Sequence, residues 1–107
     1  MANLTSTQIS MSLIASSGEA KSLAFLALTS AKQGDFPKAY DLLDQAQQEI
    51  TKAHRIQTST LTDEALGNAS EIDLLLVHAN DHLMTTMLAI ELIEEIIELY
   101  RTKADNQ

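Results

Sequence analysis

Cysteine is absent from the 107 residues. That excludes disulfides, thiolate ligands and thiol chemistry on this chain, and it suits a reducing compartment. Tryptophan is also absent, aromatics make up 4%, and one proline stands with three glycines. A chain so poor in strand-forming aromatics and turn residues, yet rich in Leu, Ala and Ile, reads as all-helical. Basic residues are scarce as well: seven Lys and Arg face fifteen Asp and Glu, for a net charge of −8. This balance excludes nucleic-acid phosphate and anionic lipid as general partners, while leaving room for a locally neutral docking patch. No basic segment followed by an apolar core opens the chain, so no signal peptide is expected. The longest apolar stretch is interrupted by His78, Asp81 and several Glu, so no membrane span is expected. The expectation is one soluble, cytoplasmic domain over residues 1–107.

Helical spacing organises what is there. Ile9, Leu13, Ala20, Leu23, Ala24, Ala27 and Leu28 mark a first helix over about 7–33. Gly18 lies inside it, where it would allow either close helix approach or backbone access to an incoming group. Gly34 suits a left-handed C-terminal cap, Asp35 an N-cap and Pro37 a first helical turn, so a tight hairpin leads into a second helix over about 36–66. Tyr40, Leu43, Ala46, Ile50, Ala53 and Ile56 mark its buried side, and His54 and Gln57 lie in its middle. Gly67-Asn68 closes it. A third helix is expected over about 70–103, with Ser70 as N-cap and Asp73 as the reciprocal carboxylate. The protomer is then a three-helix antiparallel up-down-up bundle.

The third helix is apolar on nearly every side, and a helix apolar all round is buried all round. Two companion helices cannot cover it. The positions Leu74, His78, Asp81, Thr85, Leu88, Leu92, Glu95 and Leu99 advance in alternating steps of four and three, the coiled-coil rhythm. Self-association through this helix is therefore expected on burial grounds. Glu91, Glu94, Glu95 and Glu98 read as a solvated face, and Arg101 and Lys103 suit the C-terminal dipole.

The stretch Val77-His78-Ala79-Asn80-Asp81-His82-Leu83-Met84 carries the chemistry. At about 100° per residue, His82 lies about 40° to one side of His78 and Asp81 about 60° to the other. Asp81 falls in the direction of Leu74, Leu88, Leu92 and Leu99, so a carboxylate interrupts a leucine stripe. Four readings compete. Polar residues in a seam can specify register and oligomer state. Histidines four apart can hold zinc, although position 79 is Ala rather than a general base and His54 is the sole further histidine. Hydrolysis with histidine as base lacks a recognisable nucleophile. Phosphoryl transfer with histidine as nucleophile uses the reactivity of neutral imidazole near pH 7. If three chains met on one axis, three Asp81 carboxylates would converge and could hold one hard divalent cation.

The chain resembles the IIA component of the lactose/cellobiose (N,N′-diacetylchitobiose) class of the bacterial sugar phosphotransferase system. The likeness rests on Ser17-Gly18-Glu19-Ala20-Lys21-Ser22, Gly34-Asp35-Phe36, Ala53-His54-Arg55-Ile56-Gln57-Thr58 and, as the specific motif, residues 77–84. It implies a homotrimeric nine-helix bundle with the third helices at the axis, and a phosphohistidine at His78 formed on Nε2. It also implies one magnesium ion per trimer held by Asp81 of each subunit, and a supporting role for His82. The implied partners are the histidine-phosphocarrier protein as donor and a cysteine of the cognate IIB as acceptor. The membrane is involved only through IIC, which meets the sugar, a β-linked disaccharide. Two positions depart from the usual family pattern: Asn80 stands where Gln is usual, and Leu26 where Glu is common. Met84 and Met87 are expected in the core or, as rim residues, in docking.

Overall fold

The computed structural model describes residues 5–68 and 72–107. Three helices account for nearly all of them: α1 over Ser6–Lys32, α2 over Phe36–Ala65 and α3 over Leu74–Asp105. They lie alongside one another in a rod of 57 × 23 × 19 Å.

Local chemistry sets most of the ends. Thr5 caps α1 through a reciprocal box, its hydroxyl accepting from the Gln8 N–H while the Gln8 side chain accepts from the Thr5 N–H. At the other end Gly34 takes φ of 83°, the Asp35 N–H donates to the Ser30 carbonyl, and the Gly34 N–H donates to the Ala31 carbonyl. This is a Schellman closure, which glycine enters without the Cβ penalty of a left-handed residue. Asp35 then caps α2 by accepting from the Lys38 N–H at 3.2 Å. The same closure recurs at Gly67, where the Asn68 N–H reaches the Asp63 carbonyl at 2.8 Å.

The third helix starts later than the sequence pattern predicts. Asp73 is itself the N-cap, its carboxylate accepting from the Leu76 N–H at 2.8 Å, and helical geometry begins at Leu74. Ser70, the expected cap, lies outside the described residues. An aspartate at the N-cap satisfies one of the free N–H groups of the first turn.

Each helix presents its neighbours with a seam in steps of three and four. On α1 it runs Ser10, Leu13, Ser17, Ala20, Ala24, Ala27, Ala31; on α2 Ala39, Leu43, Ala46, Ile50, Ala53; on α3 Leu76, Ala79, Leu83, Thr86, Ile90, Ile93, Ile97. All are buried, which is the packing of a left-handed bundle. The α1 seam is made of small residues, so α1 makes the broad contacts with both α2 and α3, while α2 and α3 touch each other less. Tyr40 does not belong to the buried side as expected: the α2 seam passes through Ala39, and Tyr40, about 100° further round, is exposed. At the far end the Arg101 guanidinium sits 5.5 Å over the Phe36 ring, tying α3 to the start of α2.

Ser10 and Ser17 are fully buried, and neither hydroxyl has a hydrogen-bond partner. A buried hydroxyl left unpaired costs about 1–3 kcal/mol. Ser17→Ala is therefore expected to raise stability, by about 1 kcal/mol once the better helix propensity of Ala is added. Urea denaturation of the variant checks this, and a loss of stability would show that the hydroxyl is satisfied in solution.

Candidate functional site

The α3 seam that faces the bundle has a counterpart on the opposite side. From Leu83, the outward positions Asp81 and Thr85 are each about 160° away, one on either hand. Along that outer face Leu74 is 85% exposed, Leu88 56%, Leu92 54% and Leu99 70%. Val77 and Met84 beside it are also half-open, whereas Met87 packs against the core. A single protomer thus leaves the leucine stripe uncovered. Contiguous apolar surface of this kind marks an interaction face.

His78 and Asp81 stand exposed in the N-terminal part of this face, and His82 is half-buried beside them. The two imidazoles meet edge to face, with ring centroids 6.4 Å apart and planes at 67°. His82 is oriented from below by Thr86, whose Oγ1 lies 3.3 Å from its Nδ1. Thr86 is buried, and a buried hydroxyl needs an acceptor for its proton. If Thr86 donates to Nδ1, the ring proton of His82 stands on Nε2, free to donate outward.

The carboxylate of Asp81 pairs with no side chain among the described residues; its backbone carbonyl accepts from Thr85 Oγ1 at 3.0 Å. Among the described residues of one protomer, no three His, Cys, Asp or Glu side chains cluster as a metal-binding set. The donor chemistry of Asp81 still fits a hard divalent ion, because an unpaired, accessible carboxylate is the oxygen ligand such ions take. One protomer supplies one such ligand.

The remaining expected residues fall as follows. His54 is exposed on α2, and its backbone carbonyl accepts from Thr58 Oγ1. Gly18 is half-buried, but a Cβ built there would meet nothing within 4 Å, so close packing inside the protomer does not explain it. Two participants were missed. Thr86 reads in the sequence as a polar interruption of a core seam, and the i, i+4 spacing from His82 was the signal that could have found it. Gln57 reaches from α2 to Asn80, donating from Nε2 to Oδ1 at 2.9 Å. No pattern within a single helix signals that contact.

Known proteins share this three-helix protomer. The family model described as "PTS system, Lactose/Cellobiose specific IIA subunit" matches residues 8–101. The N,N′-diacetylchitobiose-specific EIIA component of Escherichia coli strain K12 is 48% identical over 93 residues, covering 87% of this chain and 80% of the relative. Among solved structures, the cellobiose-specific enzyme IIA from Bacillus anthracis superposes with a TM-score of 0.92 at 40% identity, over 99% of this chain and 97% of that one. The IIA(Chitobiose) chain of the Escherichia coli IIA(Chitobiose)–HPr complex superposes with a TM-score of 0.82 at 43% identity, over 95% and 99%. The chain belongs to the lactose/cellobiose-specific IIA family of the sugar phosphotransferase system. Among the described residues no helix is long and apolar enough to cross a membrane.

Thr86→Val keeps the shape of the buried side chain and removes its hydroxyl. The His82 imidazole is then expected to lose its preference for the Nε2-protonated tautomer, read as a shift of its ring nitrogen resonances by NMR. An unchanged ring spectrum would mean that Thr86 does not set the tautomer.

Proposed function

We propose that this protein is a phosphoryl carrier: His78 accepts a phosphoryl group from the phosphorylated histidine-phosphocarrier protein and passes it to a cysteine of the cognate IIB. The observation that carries the reading is an exposed imidazole at the N-terminal end of a rigid helix, with a second imidazole 6.4 Å away. Membership of the IIA family supports it, and so does the relative solved in complex with HPr.

In the first step the Nε2 lone pair of His78 attacks phosphorus in line. The phosphorus–nitrogen bond to the donor imidazole breaks, and its electron pair returns to that ring. The second step mirrors the first, with a thiolate of IIB attacking and the bond to His78 breaking. Most of the catalysis in such a transfer is positioning and charge stabilisation. His82 contributes to the second by donating from Nε2 toward the phosphoryl oxygens. The sugar is never bound here, so no concave pocket is required; it is a β-linked disaccharide met by the membrane component.

The outer α3 face supports assembly as a homotrimer with the third helices at the axis. Its leucines would be buried at roughly 1.5–3 kcal/mol for each side chain taken fully out of water. Three Asp81 carboxylates would then converge and hold one magnesium ion. The ion would supply the positive charge that lets three acids share an apolar axis. The alternative is a non-catalytic bundle in which the same residues only set register or bind metal.

Incubation with the phosphorylated carrier protein separates the two readings. Wild type is expected to gain close to one acid-labile phosphate per chain, and His78→Ala none. If wild type stays unmodified, or His78→Ala is labelled equally, the relay reading fails. The assembly is tested separately by sedimentation and metal analysis. Leu88→Glu with Leu92→Glu is expected to give monomers, whereas Asp81→Leu is expected to lose the ion and keep the trimer. Dissociation of the Asp81→Leu protein would contradict the idea that the carboxylates cost stability without their cation.

A further inference from the structure

The slender contact between α2 and α3 makes their polar cross-links conspicuous. Among the described residues, Gln47 Nε2 donates to Glu94 Oε1 in the lower half of the bundle, and Gln57 Nε2 donates to Asn80 Oδ1 at the end that carries His78. Past Thr60, residues 61–65 of α2 are all exposed, so the first turns of α3 have little of α2 to rest on.

Asn80 does not stop at Gln57. Its Nδ2 donates to the Leu76 carbonyl at 2.9 Å, one turn back along α3. The Leu76 N–H in turn donates to the Asp73 carboxylate at 2.8 Å. Leu76 is therefore held at both of its backbone polar groups, on one side by the helix cap and on the other by an amide anchored to α2. His78 sits between Leu76 and Asn80 on this framed turn. The His78 ring itself has no hydrogen bond among the described residues, so its direction is set by the backbone beneath it.

We infer that Gln57, acting through Asn80, is a positioning residue for phosphoryl transfer at His78. The inference rests on the proposed relay. An imidazole that must meet two different proteins in line gains from a fixed backbone, because a small misplacement of a reacting atom lowers the rate without altering how the partner docks. Gln57 and Asn80 are both half-buried, so their bond is partly sheltered from water.

The test follows phosphorylation of His78 by the phosphorylated carrier protein as donor concentration is varied. Gln57→Leu is expected to lower the maximal rate about three- to tenfold and leave the half-saturating donor concentration unchanged. Hydrogen exchange should quicken at the amides of residues 76–80 and not in the lower half of the bundle. Gln57→Asn shortens the α2 arm by one methylene and Asn80→Gln lengthens the α3 arm by one. Gln57→Asn alone is expected to be slow, and adding Asn80→Gln to it is expected to return the rate to within about twofold of wild type. A Gln57→Leu protein that matches a normally phosphorylated wild type in rate would overturn this inference alone. So would a double exchange no faster than Gln57→Asn. A wild type that takes no phosphate would overturn the functional reading, and this inference with it.

Discussion

One helix in this molecule has two faces to bury and neighbours for only one. The inner face of α3, from Leu76 to Ile97, meets α1 and α2 in regular steps of three and four. The outer face follows the same rhythm about half a turn away, with its leucines open. An up-down-up protomer of three helices cannot reach round to cover both. The small residues of α1 sharpen the constraint, because Ala20, Ala24 and Ala27 draw α1 in close and fix α3 by its inner side. What remains outside is a pre-formed, straight, apolar surface. The rest of the molecule follows from how that surface is used.

Its polar residues are not spread evenly. His78, Asp81 and Thr85 fall together toward the N-terminal end, and Leu88 and Leu92 follow. The proposed chemistry and the proposed assembly surface therefore share one helix face, divided along its length. Asp81 points with the leucines and gives up packing that a leucine would supply. That loss has an explanation when several copies converge and a cation neutralises them. His78 lies about 60° off that line, toward the edge, where a group from another protein can approach it. A helix is a sound place for the proposed nucleophile. Loops move; an α-helix held by its inner seam presents its side chains at fixed angles.

Much of this was legible in the residues. The hairpin at Gly34, Asp35 and Pro37 is written in turn chemistry, and the structure realises it with a left-handed glycine and an aspartate cap. The 4–3 rhythm of the α3 face could be read directly, and so could the shared direction of His78 and His82. The misreadings have separate causes. Helical spacing predicts Tyr40 on the buried side, but the seam runs through Ala39, and a seam of small residues looks weak in a hydrophobicity pattern. Ser70 and Asp73 resemble a reciprocal cap and so predict an earlier start for α3, whereas Asp73 is itself the N-cap. Gly18 invites a packing role that no neighbour inside the protomer provides. Gln57 could not be assigned, because its contact with Asn80 runs between helices and is no property of local spacing, whereas the i, i+4 spacing of Thr86 from His82 was there to be read.

The open character of the site is itself informative about mechanism. An enzyme for a small substrate encloses it, since specificity for a sugar needs convergent hydrogen bonds from a concave wall. Here, among the described residues of one protomer, the imidazole stands exposed on a rod, and its orientation comes from the backbone beneath it. A convex nucleophile selects among proteins, whose surfaces can wrap it, and not among sugars. The known relatives fit this division. Proteins of nearly the same fold and comparable identity carry chitobiose in one name and cellobiose in another. A chain that handed the sugar its phosphate directly would have to differ at the point of contact. A chain that hands it to another protein needs only to keep its histidine accessible, its helix rigid and its outer leucines out of water.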